Sequence, residues 1–193
     1  MRTRLFFHPI CGVLVCTVLL LAGKPALAAS ACPALLNLSQ PRLQDDKPIN
    51  LCSHAGKVLL VVNTASFCGY TRQYKALEAL QTQYASRGLV VLGFPSNDFS
   101  QEPGSGAEIA AFCENTFGVR FPMFAKSHVA PGGGRSVNPV FVTLAQRSGQ
   151  VPSWNFHKYL VSRNGELVIS HAPAVDPKDP ALLRDLEKLL KAN

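Results

Sequence analysis

Two short runs rich in β-branched residues constrain this chain more than anything else in it: Val58-Leu59-Leu60-Val61-Val62-Asn63, which follows Lys57, and Leu89-Val90-Val91-Leu92-Gly93-Phe94. Neither alternates polar with apolar positions. Each therefore reads as a strand covered on both faces, as the strands of parallel sheets are. Between them, Thr71 to Ser86 puts Tyr74, Leu77, Leu80 and Tyr84 on one side at helical spacing, and Gly88 closes the segment. Strand, helix, strand makes a βαβ unit, for which a right-handed crossover is expected.

The rest of the chain fits around that unit. Residues 30 to 56 are polar and turn-rich, with Pro33, Pro41, Pro48 and Gly56, and read as an irregular arm with one short hairpin. After the loop Pro95 to Gly106, a helix is expected from Ala107 to Phe117. A short extended piece follows from Val119 to Phe124, then a helix from Ser136 to Gln146 with Pro139 in its first turn. Phe156 to Ser162 and Glu166 to His171 flank Arg163-Asn164-Gly165, and Asn-Gly between two such runs predicts a hairpin. Pro177 to Lys191 reads as a terminal helix with Leu182, Leu183, Leu186, Leu189 and Leu190 on its apolar side. This order predicts an α/β, thioredoxin-like fold: a central mixed sheet flanked by helices.

The N-terminus carries Arg2 and Arg4, an apolar run from Ile10 to Ala22, then Pro25-Ala26-Leu27-Ala28-Ala29-Ser30. That is the layout of a secretory signal peptide, and the apolar run is shorter than the ~20 residues that span a bilayer. Residues 1 to 28 are expected to be removed on export, with the periplasm as destination. An uncleaved membrane anchor, or a lipoprotein acylated at Cys32, are the alternatives. Removing 28 of the 193 residues leaves 165, enough for one domain, residues 29 to 193. Loss of Arg2, Arg4 and Lys24 lowers the formal charge from +7 to +4. With no basic run and no aromatics interleaved with Arg and Lys, nucleic-acid binding is not expected.

Of six cysteines, Cys11 and Cys16 lie in the leader, and Cys32, Cys52, Cys68 and Cys113 remain. No pair has Cys-x-x-Cys or zinc-site spacing, and His54, His128, His157 and His171 stand alone in sequence. No metal is expected. Cys32 and Cys52 both sit in the arm ahead of the core, and pairing them in a structural disulfide would restrict that segment. Cys68 differs from the other three. It lies in Thr64-Ala65-Ser66-Phe67-Cys68-Gly69-Tyr70, between the C-terminal end of a buried strand and the start of a helix. Reacting groups in open α/β sheets gather at that edge, and the unpaired N–H groups of a helix start favour thiolate over thiol.

The sequence resembles the glutathione peroxidase family in its cysteine-containing form. The likeness runs from Gly56 to about Gly165 and rests on several motifs in order. These are Val62-Asn63-Thr64-Ala65-Ser66-Phe67-Cys68-Gly69-Tyr70-Thr71, Gly93-Phe94-Pro95-Ser96-Asn97-Asp98-Phe99, Gln101-Glu102-Pro103-Gly104-Ser105, Phe121-Pro122-Met123-Phe124 and Trp154-Asn155-Phe156. The resemblance implies a thiol peroxidase acting on hydrogen peroxide or organic hydroperoxides, with Cys68 as the attacking sulfur. Gln101 and Trp154 would be neutral N–H donors beside it, and Asn155 the remaining member of the catalytic set. Fixed neutral donors suit the chemistry, because attack on an O–O bond develops negative charge on the departing oxygen.

The resemblance also places Cys113 where the thioredoxin-dependent branch carries its resolving cysteine, although Ile109, Phe112 and Phe117 put it on an apolar stripe as well. Ser96 stands where many relatives have a cysteine, and Asp98 where glutamine is frequent. The stretch from Met123 to Trp154 is too brief for the insertion used in tetramer contacts, so a monomer is expected. No clustered Arg and Lys set suggests a glutathione site. A thioredoxin-like protein is the preferred reductant, with a low-molecular-weight thiol such as glutathione as the alternative, and the thiol serves as co-substrate in place of any cofactor. Two rivals remain: a thiol-disulfide exchange protein, and a redox-sensing module that uses the same cysteine pair.

Overall fold

The computed structural model describes residues 32–192 together with Met1. Apart from Met1, the expected leader lies outside the described residues. The elements in chain order are β1 (Ser39–Pro41), β2 (Pro48–Asn50), β3 (Val58–Thr64), α1 (Gln73–Tyr84), β4 (Leu89–Pro95), α2 (Gly106–Phe117), α3 (Pro139–Ser148), β5 (Lys158–Val161), β6 (Val168–His171) and α4 (Pro180–Lys191). Strands β1 and β2 form a small antiparallel hairpin in the arm, and the main sheet has the order β4-β3-β5-β6. β3 runs parallel to β4 and antiparallel to β5, which pairs antiparallel with β6. The sheet is mixed, and the arrangement is that of the thioredoxin fold.

All seven residues of β3 are buried, and their side chains divide between two cores by the period of two that a strand imposes. Val58, Leu60 and Val62 face one layer with Tyr74 and Leu77 of α1, Ile109 and Cys113 of α2, and Leu182 and Leu186 of α4. Leu59 and Val61 face the other with Leu35, Leu36 and Leu51 of the arm and Phe141 and Leu144 of α3. The absence of alternation in the sequence thus reflects two apolar layers, one on each side.

Helix starts differ from the sequence expectation where a capping side chain decides them. α3 begins at Pro139 and not Ser136, because the Asn138 side chain accepts from Val140 N–H at 3.0 Å. α4 begins at Pro180 and not Pro177, because Asp179 accepts from Ala181 N–H at 2.7 Å. The extended piece over 119 to 124 forms no full strand and adds two isolated bridges, Met123 parallel to Gly93 of β4 and Phe124 antiparallel to Arg42. Gly93 permits the first approach, since a Cβ there would collide with the Met123 sulfur.

Cys32 and Cys52 are joined by a disulfide with Cα atoms 5.3 Å apart. It ties the start of the described chain to the turn after β2, and it occupies the thiol that acylation at Cys32 would require. No described helix is long and apolar enough to cross a membrane.

Candidate active site

β3 delivers the chain to the sheet edge, and a run of turns from Ser66 to Arg72 leads into α1. Successive i to i+3 hydrogen bonds carry this run: Thr71 N–H to Cys68 O at 3.0 Å, Gln73 N–H to Tyr70 O at 2.8 Å and Tyr74 N–H to Thr71 O at 3.1 Å. The Thr71 hydroxyl fastens it, accepting from Cys68 N–H at 3.0 Å and donating to Ala65 O at 2.9 Å. Cys68 is a free, partly exposed thiol. Its Sγ accepts from Tyr70 N–H at 3.4 Å.

Gln101 reaches this turn from the loop after β4. Its carbonyl accepts from Phe67 N–H, the residue before Cys68, at 3.1 Å. The loop is set by Asn97, whose side chain accepts from Glu102 N–H at 2.8 Å, while Asp98 accepts from Val129 N–H at 2.6 Å and Ala130 N–H at 3.0 Å. Trp154 and Asn155 come from the segment before β5. Asn155 is fully buried and donates from Nδ2 to Gln101 Oε1 at 2.8 Å. Trp154 is 41 % exposed, with its ring 5.2 Å from that of Phe99. Gln101 thus joins the turn that bears Cys68, Asn155 joins Gln101, and Trp154 packs on Phe99 of the same loop. Among the described residues, however, the hydrogen bond to Sγ comes from the Tyr70 backbone and not from the Gln101 amide or the Trp154 indole.

The sequence reading missed the residues that hold this group in place. Asn63, the polar member of an otherwise apolar run, donates to Trp154 O at 3.1 Å and accepts from His157 N–H at 3.0 Å, while its carbonyl accepts from Phe156 N–H at 2.6 Å. A polar residue inside a doubly buried strand was the available signal. Lys158, fully buried, donates to Gln73 Oε1 at 2.8 Å, Phe156 O at 2.5 Å and Pro173 O at 3.0 Å. Burial pushes its pKa down to about 7. Glu102, also fully buried, accepts from the Ser66 hydroxyl at 3.0 Å, and burial raises its pKa. A groove of about 380 Å³ lined by Ser66, Phe67, Glu102, Gly104, Ile109 and Phe112 opens beside the Cys68 turn toward α2.

Cys113 lies on α2, a free thiol only 2 % exposed, and belongs to the core layer against which Cys68 packs. Burial pushes its thiol up to about 11. The Tyr74 hydroxyl neighbours it but finds no well-aligned hydrogen-bond partner. The two sulfurs are not bonded to each other.

These features define a thioredoxin-fold protein with one accessible thiol at the sheet edge and a second held in the core. The glutathione peroxidase family pattern matches residues 36–145. A glutathione peroxidase-like peroxiredoxin of Schizosaccharomyces pombe is 44% identical over 155 residues, covering 78% of this chain and 95% of its own. The thioredoxin/glutathione peroxidase BtuE of Escherichia coli is 37% identical over 168 residues, covering 76% of this chain and 92% of its own. The crystal structure of T. cruzi GPX1 superimposes with a TM-score of 0.62 at 28% identity, covering 81% of this chain and 95% of that one. The chain belongs to the glutathione peroxidase family and is a thiol peroxidase.

Proposed function

We propose that the chain reduces hydrogen peroxide or organic hydroperoxides at Cys68, with Cys113 as the resolving thiol and a thioredoxin-like protein as the preferred reductant. The Cys68 thiolate attacks one peroxide oxygen, so that an S–O bond forms as the O–O bond breaks. The departing oxygen takes a proton and leaves as water or an alcohol. The sulfenic acid left on Cys68 then condenses with the Cys113 thiol: an S–S bond forms, the S–O bond breaks, and the hydroxide leaves as water with the thiol proton. Two electrons from a reducing dithiol restore both cysteines, and no cofactor is needed.

The observation that carries this reading is the hydrogen bond from Asn155 to Gln101. By occupying Oε1, Asn155 leaves Nε2 as the free end of the Gln101 amide, while the main-chain carbonyl of Gln101 is tied to Phe67 N–H. In this role Asn155 orients Gln101. Gln101 Nε2 and Trp154 Nε1 then meet charge only as it develops, which is when such donors lower a barrier. A thioredoxin-like reductant is supported by the name of the E. coli relative, which also admits glutathione, and by the absence of clustered basic residues in the sequence. Export to the periplasm after cleavage near Ala28, and a monomeric state, complete the proposal.

Steady-state peroxide consumption with a thioredoxin system tests the scheme. Cys68→Ser is expected to consume none above background. Cys113→Ser is expected to consume one equivalent and stall at the sulfenic acid. Sustained cycling of Cys113→Ser removes Cys113 from the mechanism, and a sensor in place of an enzyme would stop after one turnover even with both thiols intact.

A further inference from the structure

The segment Trp154-Asn155-Phe156 is held in a conformation its sequence does not favour. Phe156 has φ 63°, in the left-handed region that disfavours a bulky L-residue, so its surroundings must enforce it. On one side stands Asn63, which binds Trp154 O, Phe156 N–H and His157 N–H. On the other stands Lys158. Its ammonium has three donors, and all three are used: one on Phe156 O, one on Gln73 Oε1 and one on Pro173 O. Gln73 is the first residue of α1, the helix that the Cys68 turn feeds, and its own Nε2 donates to Pro173 O at 3.0 Å. The Lys158 side chain is therefore a bridge between the carbonyl of the strained residue and the first turn of that helix.

A buried ammonium is costly unless the structure uses it. Here none of its three hydrogen-bond acceptors is a carboxylate; Asp176, in the loop after β6, acts on it only through the longer-range field. A leucine or methionine would fill the space without that cost. What an apolar chain cannot do is hold Phe156 O, Gln73 and Pro173 at fixed separations.

We propose that Lys158 is a positioning residue for peroxide reduction, its Nζ clamping the Phe156 turn to the start of α1 and so fixing Trp154 and Asn155 relative to Cys68. The proposal rests on Trp154 and Asn155 serving Cys68 in the peroxidase reaction. Misplacing a reacting constellation by about 1 Å can lower a rate by about 100-fold, so a clamp remote from the sulfur is consequential.

The test uses Lys158→Met in the full chain, with two readouts from stopped-flow oxidation of the reduced protein by hydrogen peroxide. The first is the second-order rate of Cys68 oxidation, expected to fall about 10- to 100-fold. The second is the emission of Trp154, the single tryptophan of the sequence, expected to differ from wild type in the folded, reduced protein. Loss of stability alone moves neither readout in molecules that remain folded. A folded Lys158→Met with unchanged emission and a rate within twofold of wild type overturns the proposal.

Gln73→Met covers the case in which Lys158→Met does not fold, because it breaks the bridge from the helix side. It is expected to show the same change in emission with a smaller loss of rate, and wild-type values for both overturn the proposal. Asn155→Ala separates the two layers of argument. If it oxidises at the wild-type rate, the role of the turn in catalysis fails. If it slows while both bridge variants do not, only the clamp fails.

Discussion

Helices α1 and α2 are each 12 residues long and face the same core, yet they are held in opposite ways. α1 has no side-chain cap at its N-terminus and buries Gln73, Tyr74, Ala76, Leu77, Leu80 and Tyr84. α2 buries only Ile109 and Cys113, but it has a capping box between Ser105 and Glu108 and ends at Gly118, whose φ of 67° supplies a left-handed cap. α1 is secured along its face, α2 at its ends. Local opening follows buried contacts, so the helix behind Cys68 is expected to stay closed while the helix carrying Cys113 opens at lower cost. Disulfide formation needs Cα atoms within about 7 Å, and a thiol buried in the core must leave it to react. The difference between the helices matches the roles proposed for the two sulfurs, one fixed for attack and the other released afterwards.

The sharpest way to break this contrast is to cut the face of α1. Leu77→Ala, at a fully buried position, is expected to lower global stability by about 2–5 kcal/mol in denaturant unfolding. A loss below about 1 kcal/mol would mean that α1 is not anchored as described. A smaller effect is expected from Ser105→Ala, which removes the cap of α2 at about 1 kcal/mol. If opening of α2 controls access to Cys113, alkylation of that thiol in the native protein speeds up about fivefold, while the rate of Cys68 oxidation is unchanged.

Acid gives a gentler test of the frame on which both helices sit. Burial, with help from the Lys158 charge, pushes the His157 pKa down to about 4 from the ordinary 6.5. Between those values the unfolded chain binds a proton that the folded one refuses. The contribution of His157 is therefore fully present above about pH 6.5 and is lost as pH falls toward about 4. Unfolding midpoints measured across that window are expected to fall with pH, and less steeply in His157→Gln.

The position of Cys68 was legible in the sequence because it follows from two signals that do not depend on distant contacts: an apolar strand and the turn into an amphipathic helix. The sheet was legible for a similar reason, as the unalternating runs at 58 to 63 and 89 to 94 and the Asn164-Gly165 turn each fix one pairing. The helix starts at Pro139 and Pro180 were misjudged because a single capping side chain, Asn138 or Asp179, outweighs the wider periodicity. Gln101, Trp154 and Asn155 could be named only by resemblance. Their union is a hydrogen bond across 54 residues of sequence, which no local pattern encodes. Lys158 was invisible for another reason: a lysine at a strand start reads as solvent-facing, and only the folded chain turns it inward onto three acceptors.

The central claim is that Cys68 captures the peroxide and that Cys113 leaves its core position to join it. It is tested most directly by mapping disulfides by mass spectrometry in protein treated with one equivalent of hydrogen peroxide and then trapped with an alkylating agent. The account predicts a new Cys68–Cys113 bridge beside an intact Cys32–Cys52 bridge. A product in which Cys113 is still an alkylatable thiol, with Cys68 unmodified or paired to another cysteine, would contradict it.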